Sequence, residues 1–391
     1  ISVSPDGLYV YVTHTLANYK LPTERIERGS INANALSIIE VKGMKLLNTV
    51  LLDDVGRGAA NPWDVECSPD GKYICVTHTG THEISVIDRL GLHKKLEEAE
   101  NHKTAHADIS RDLTFLSGLR RRFPLRGEGP RDMAIVGTKV YAAEYFSDSV
   151  GVIDLESPDN DSGRSIALGP KAPLSEKRRG EMLFNDARIC FQEWQTCASC
   201  HPEGRTDGLT WDLLNDGTGN PRKTKSLLLS HKTPPSMITG VRTDAETAVR
   251  AGLKYIHFSG QPEETAAAID AYLKSMQPVP SPYLQRGKPS KEAKRGQKIF
   301  NEAGCAECHA PPLYTNLKKY DVGAGTVKDG NRSFDTPSLI EAWRTAPYLY
   351  DGRAESMHEV LTIFNKKDTH GLTSKLNYSD LYDLAEFVLS L

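Results

Sequence analysis

Two strings decide how this chain is organised: Cys197-Ala198-Ser199-Cys200-His201 and Cys305-Ala306-Glu307-Cys308-His309. Two cysteines three residues apart, followed at once by a histidine, form the attachment pattern of a c-type haem. On one helical turn the thiols reach the two vinyl groups of one porphyrin, and the histidine falls beneath the iron as its proximal ligand. A structural zinc site wants a second cysteine pair in the same place, and a thioredoxin-like pair wants a βαβ setting. Two copies, each behind a similar helical lead-in, favour haem. The expectation is two covalently bound haem c groups, on Cys197 and Cys200 and on Cys305 and Cys308, with His201 and His309 as proximal ligands.

The lead-ins are Arg179-Gly180-Glu181-Met182-Leu183-Phe184-Asn185-Asp186 and Arg295-Gly296-Gln297-Lys298-Ile299-Phe300-Asn301-Glu302. Each reads as a short amphipathic helix whose phenylalanine packs on a haem edge. After the motifs the repeat continues at a constant offset. Thr224-Lys225-Ser226-Leu227 matches Thr336-Pro337-Ser338-Leu339, Lys232-Thr233-Pro234-Pro235 matches Arg344-Thr345-Ala346-Pro347, and Gly240 matches Gly352. Each half closes with an apolar helix, 266–276 and 381–391, and the Pro-rich stretch 278–289 joins them. Two all-α cytochrome c-like haem domains, 171–281 and 282–391, are expected.

Residues 1–170 switch to short alternating strands. Ser4-Pro5-Asp6-Gly7-Leu8-Tyr9-Val10-Tyr11-Val12-Thr13-His14 recurs as Ser68-Pro69-Asp70-Gly71-Lys72-Tyr73-Ile74-Cys75-Val76-Thr77-His78, and a degenerate copy runs from Met133 to Asp154. Pro-Asp-Gly between β-branched runs is a hairpin turn, since Pro fixes φ and Gly takes φ > 0. Such repeats build β-propeller blades. About three are visible, too few to close a ring, so the remainder is expected to be absent from the chain or supplied by a partner. The insertions 16–34 and 92–129 are expected as surface loops, and Arg120-Arg121-Arg122 as a solvated loop. Cys67 and Cys75 lie on two strands of one hairpin, open to a disulfide or to two buried thiols. Cys190 reads as a buried free thiol.

The 391 residues hold 48 Lys+Arg against 51 Asp+Glu, a net −3. That balance provides no basic excess for neutralising phosphates, so nucleic acid is not an expected partner. No apolar run is long enough for a membrane span. The start at Ile1, without a charged region and apolar run behind it, is expected from a removed signal peptide or a missing front segment.

The haem half resembles the bacterial di-haem cytochrome c peroxidase and MauG family. The resemblance is carried by the two haem motifs at this separation and by Asp335-Thr336-Pro337-Ser338-Leu339 followed by Thr345-Ala346-Pro347-Tyr348-Leu349-Tyr350-Asp351-Gly352-Arg353. The front half is similar to the YVTN-type propeller repeat. The family implies two c-type haems outside the cytoplasm, one activating peroxide and the other feeding or storing electrons, with Glu246 as the match to the family's catalytic acid. No histidine occupies 207–222, where the family can place a distal one, so the first haem is expected to be open or filled by His231 or His257. The family's axial Met or Tyr falls near Phe364, which cannot ligate iron; His370 is the replacement candidate. Tyr350 stands where the family usually has His. The family's calcium site would use carbonyls around Thr345 and Pro347, but its side-chain partner is here Lys223. Trp194, Trp211 and Trp343 are candidates for an inter-haem electron path, with core packing as the other reading.

The resemblance thus implies a periplasmic or otherwise extracytoplasmic oxidoreductase of peroxidase or MauG type. Its expected partners are hydrogen peroxide or another small oxidisable or reducible substrate, and a small electron-donor protein such as a cytochrome c or cupredoxin. The alternative is an electron-transfer subunit of a larger multi-haem complex that docks through its propeller.

Overall fold

The computed structural model describes residues 1–19, 31–101, 109–157, 163–170, 173–213, 220–325 and 333–391. The chain divides into two compact units, one of 1–18, 24–199 and 253–268 and the other of 19–23, 200–252 and 269–391.

The first unit holds three four-stranded antiparallel sheets, each a meander in chain order. The first is β1 (Ser2–Val3), β2 (Tyr9–Ala17), β3 (Asn32–Glu40) and β4 (Lys45–Leu51). The second is β5 (Pro62–Cys67), β6 (Tyr73–His78), β7 (Glu83–Asp88) and β8 (Arg120–Pro124), with helix α1 (Arg89–Asn101) between its last two strands. The third is β9 (Pro130–Val136), β10 (Lys139–Glu144), β11 (Ser149–Asp154) and β12 (Arg164–Ala167). The repeated Ser-Pro-Asp-Gly turns are built alike. Ser4 Oγ accepts from Tyr9 N at 2.9 Å and Ser68 Oγ from Tyr73 N at 2.9 Å, while Asp6 and Asp70 accept from Leu8 N and Lys72 N. Gly7 and Gly71 sit at φ +71° and +72°, where a side chain would be strained. Alternate inward residues make the cores. Tyr11, Leu36, Val65, Ile74 and Ile87 join the first two sheets, and Ile84, Phe123, Val140 and Ile153 join the second and third. Helix α2 (Glu176–Phe184), capped by Ser175, follows, and Phe184 is buried.

The second unit carries the repeat in its backbone. The two-stranded sheet β13 (Thr210–Trp211) with β14 (Arg222–Lys223) is matched by β15 (Lys319–Tyr320) with β16 (Phe334–Asp335). Bridge Ser236–Arg242 is matched by Tyr348–Ala354, and the positive-φ residues Leu229, Met237 and Gly240 by Glu341, Leu349 and Gly352. Helices α4 (Ala245–Tyr255) and α5 (Glu263–Ser275) have counterparts in α8 (Met357–Leu361) and α9 (Tyr378–Leu389). Helix α6 (Lys291–Glu302) crosses α9 in close contact at Gly296, where a Cβ would lie 1.8 Å from the Asp383 carbonyl oxygen. Phe300, Leu384, Phe387 and Val388 fill that core.

The expected fold class, all-β propeller blades followed by two all-α cytochrome c-like haem domains, is overturned. The three sheets are separate, with no ring closure among the described residues. The haem region is helices joined by long irregular stretches and two small sheets, not all-α. Between 202 and 240 it carries Pro202, Gly204, Gly208, Pro221, Pro234, Pro235 and Gly240. Proline lacks the donor that helix propagation needs, and positive-φ residues interrupt what remains. Leu16 and Ala17 belong to β2 and Asn32–Asn34 to β3, while 92–129 contributes α1 and β8; the remaining parts at 20–30 and 102–108 lie outside the described residues. The triple arginine is strand β8. Arg120 is 3% exposed and pairs with Asp54, Arg122 with Asp54 and Glu83, and Arg121 donates to the Leu155 and Ser157 carbonyls. Cys67 faces Ile74 and Cys75 faces Glu66 across the hairpin, so register separates the thiols, and both are free.

Among the described residues no helix is long and apolar enough to cross a membrane.

Candidate functional site

The first motif forms the single turn α3 (Cys197–Cys200). Asn61 bridges the turn: its Nδ2 donates to Thr196 Oγ1 at 2.6 Å, and its Oδ1 accepts from Ser199 Oγ at 2.8 Å. Cys197 Sγ lies 3.9 Å from Nε2 of the buried His257, and burial pushes the thiol up to about 12. Trp194 is wholly buried, and Gly58 packs against its backbone so closely that a Cβ would come within 2.4 Å of the Trp194 Cα.

His201 places Nδ1 at 3.0 Å from the Arg205 carbonyl. A carbonyl only accepts, so Nδ1 carries the proton and the Nε2 lone pair is left for a metal. Burial holds the imidazole in its neutral, ligating form by lowering its pKa. The second motif is built alike. Single-turn helix α7 (Cys305–Cys308) follows Gly304 at φ +77°, and His309 Nδ1 lies 3.1 Å from the Tyr314 carbonyl. The His370 ring centre is 6.3 Å from that of His309, at 43°. A metal held by two imidazole nitrogens at about 2 Å each sets the ring centres roughly 6 Å apart. Burial, with His309 nearby, lowers the His370 pKa to about 4. Its loop is held by the buried Asn365, whose Oδ1 accepts from His370 N at 2.8 Å and whose Nδ2 donates to the carbonyls of His370 and Gly371. The donor set of both motifs fits haem c.

The remaining candidates sit elsewhere in local networks. His231 is tied through Nε2 to Asp270 at 2.9 Å, with Ser230 Oγ 3.4 Å from Nδ1; Asp270 also accepts from Arg250 at 2.6 Å. Glu246, 40% exposed, pairs with Lys274 at 2.7 Å, and that lysine holds its carboxyl below the usual range. Trp211 donates to Asp207 at 2.8 Å. Tyr350 stacks on Phe334 at 4.5 Å and accepts from Arg353 at 2.8 Å, and Phe364 is half-buried. Lys223 donates its ammonium to the Thr345 carbonyl and its backbone N–H to the Tyr350 carbonyl. With an ammonium seated on that carbonyl, these residues do not fit a calcium ion, which needs several oxygen ligands and no cation beside it.

His82, Glu128 and Asp186 bring ligand atoms within 4.8 Å of one another. Arg188 already pairs with both carboxylates, and Gly129 N–H donates to His82 Nδ1 at 2.7 Å, so the group is a closed ion-pair network. Reading the sequence missed Asn61, Arg205, Asn365 and Asp270, because each acts through contacts that no motif spacing records.

No family model matches the chain. Methylamine utilization protein MauG of Methylorubrum extorquens is 24% identical over 257 residues, 50% of this chain and 71% of that protein. The haem half is similar to members of the di-haem cytochrome c peroxidase and MauG family. Two Kuenenia stuttgartiensis proteins are also similar to this chain. Hydrazine synthase subunit gamma is 29% identical over 272 residues, 55% of this chain and 77% of that subunit. Hydrazine synthase subunit beta is 33% identical over 157 residues, 38% of this chain and 39% of that subunit. A solved structure of that organism's hydrazine synthase superposes with a TM-score of 0.53 at 26% identity, over 56% of this chain and 89% of the matched one. These likenesses make the chain an enzyme of the oxidoreductase type, and with its two motifs they imply haem c.

Proposed function

We propose that this di-haem oxidoreductase divides its labour between two haem domains, near 171–281 and 282–391. The first site, on Cys197, Cys200 and His201, reacts with peroxide or another small oxidisable or reducible substrate; the second, on Cys305, Cys308, His309 and His370, exchanges electrons with it. Haem c would supply an iron that passes single electrons and reacts with small oxidants. The observation that carries the reading is the 6.3 Å spacing of His309 and His370, which suits a site closed on both faces. His231 is held by Asp270 and Ser230, so its nitrogens are engaged away from ligation. The residues otherwise orient and protect. The Arg205 and Tyr314 carbonyls fix which nitrogen of each proximal histidine faces out, and Asn365 holds His370 in place. Glu246, kept ionised by Lys274, is assigned the role of a proton shuttle that takes a proton from the incoming peroxide and returns it to the leaving oxygen. The electron donor is a small cytochrome c or cupredoxin, and the compartment is the periplasm, since covalent haem attachment follows export.

Low-temperature EPR of the oxidised protein, before and after hydrogen peroxide, tests this. One low-spin signal with one high-spin signal that peroxide removes is the expected result; two low-spin signals indifferent to peroxide overturn it. The likeness to hydrazine synthase subunits gamma and beta favours a second reading, an electron-transfer subunit of a multi-haem assembly that docks through its β-sheet unit. Two indifferent low-spin signals together with a defined hetero-oligomer from the source cells would select it.

A further inference from the structure

We propose that Arg205 and Glu341 are positioning residues for the proximal ligand of the first haem, a buried charged clamp that sets that haem's potential apart from the second. The inference rests on the reading of His201 as an iron ligand.

The histidine proton goes to the Arg205 carbonyl, 3.0 Å away. A ligating histidine whose other nitrogen donates to a fixed acceptor becomes more basic, and a more basic ligand favours ferric iron. The strength of that bond depends on how firmly the carbonyl is held. Arg205 is held at every nitrogen. Nε and Nη2 donate to the two oxygens of Glu341 at 3.1 and 3.0 Å, Nη2 also to the Gln277 carbonyl at 3.1 Å, and Nη1 to the Glu203 carbonyl at 2.9 Å. Such a bidentate fork fixes direction as well as distance. Glu341 is 1% exposed; burial alone would raise its pKa, but the bonds from Arg205 and from Val279 N–H outweigh it and keep the carboxylate ionised.

Among the described residues the duplicated site shows no such device. The His309 proton goes to the Tyr314 carbonyl, and the Tyr314 ring packs edge-on to Phe300 and Phe387 at 6.3 and 6.2 Å. One proximal bond is therefore anchored by an ion pair and the other by apolar packing. That asymmetry supplies a difference in proximal ligand strength, added to the difference His370 makes at the second site.

The test is an EPR-monitored redox titration of the holoprotein as wild type, Glu341→Gln and Arg205→Gln, after mass analysis of the haem peptides. If the clamp acts by holding the carbonyl, both variants raise the potential of the His201 haem and leave the His309 haem unmoved. If the two residues act only through their charge, the shifts have opposite signs, because one variant removes a negative and the other a positive charge; that result overturns the clamp, as does no shift in either. Arg205→Lys, which keeps the charge but loses the fork, is expected to shift the potential upward by less than Arg205→Gln, and covers the case in which the glutamine variants do not fold. Wild-type peptides without haem on Cys197 and Cys200 overturn the ligand reading, and the clamp with it.

Discussion

Replacing Asn365 with alanine is expected to release His370 from the second haem while leaving His309 in place. The buried amide makes four contacts with the loop: from His370 N at 2.8 Å, and to the His370 carbonyl at 3.1 Å, the Gly371 carbonyl at 2.8 Å and Thr373 Oγ1 at 2.8 Å. At about 1 kcal/mol net each, and more for groups left buried without a partner, the loop loses about 4 kcal/mol. Each 1.4 kcal/mol is a factor of ten, so the ligated arrangement is disfavoured by about a thousandfold. The assay is low-temperature EPR with a carbon monoxide or cyanide titration of the purified holoprotein, alongside haem content and thermal unfolding. The expected outcome is conversion of the low-spin signal to high spin and a newly accessible ligand site, with both haems still attached. A variant that keeps its low-spin signal and excludes exogenous ligands, despite the lost amide, would refute the reasoning that this loop is what delivers His370.

Glu246→Gln is expected to slow the reaction with hydrogen peroxide by about a hundredfold or more in stopped-flow measurements, the scale of a lost general base; an unchanged rate removes Glu246 from the chemistry. Fully buried His78, bonded to the Ala59 carbonyl and Ser85 Oγ, has its pKa lowered by burial to about 4. Its unfolded form titrates near 6.5, so stability is full above that value and falls by about 3 kcal/mol as pH drops from about 6.5 to 4. Denaturant unfolding across that window is expected to flatten for His78→Gln; an unaltered slope counts against it. Elemental analysis of the holoprotein is expected to find no stoichiometric calcium, and Lys223→Asn, by removing the ammonium from the Thr345 carbonyl, is expected to acquire one ion per chain. Stoichiometric calcium in the wild type contradicts this.

The sequence alone determined the cofactor chemistry and the duplication, because both are written in short-range order: Cys-x-x-Cys-His needs only one helical turn, and a constant offset survives whatever the fold does. The turns at Gly7 and Gly71 were legible for the same reason, a local backbone demand met by local residues. His370 was readable as a candidate ligand, but its distance from His309 was not, and Asn365 gave no signal, since an asparagine in a loop is ordinary until its partners are known. The all-α expectation failed because helix periodicity at the ends of each repeat says nothing about the proline- and glycine-rich stretch between them. The arginine run misled in the opposite direction: three adjacent charges look solvated until Asp54, in the loop after β4, and Glu83, on β7, meet them. Only tertiary structure decided which carboxylate meets which guanidinium, that Glu341 reaches Arg205 across 136 residues, and that Lys223 rests on the carbonyl of Thr345. Those pairings depend on desolvation and distance, quantities that exist only once the chain has closed on itself.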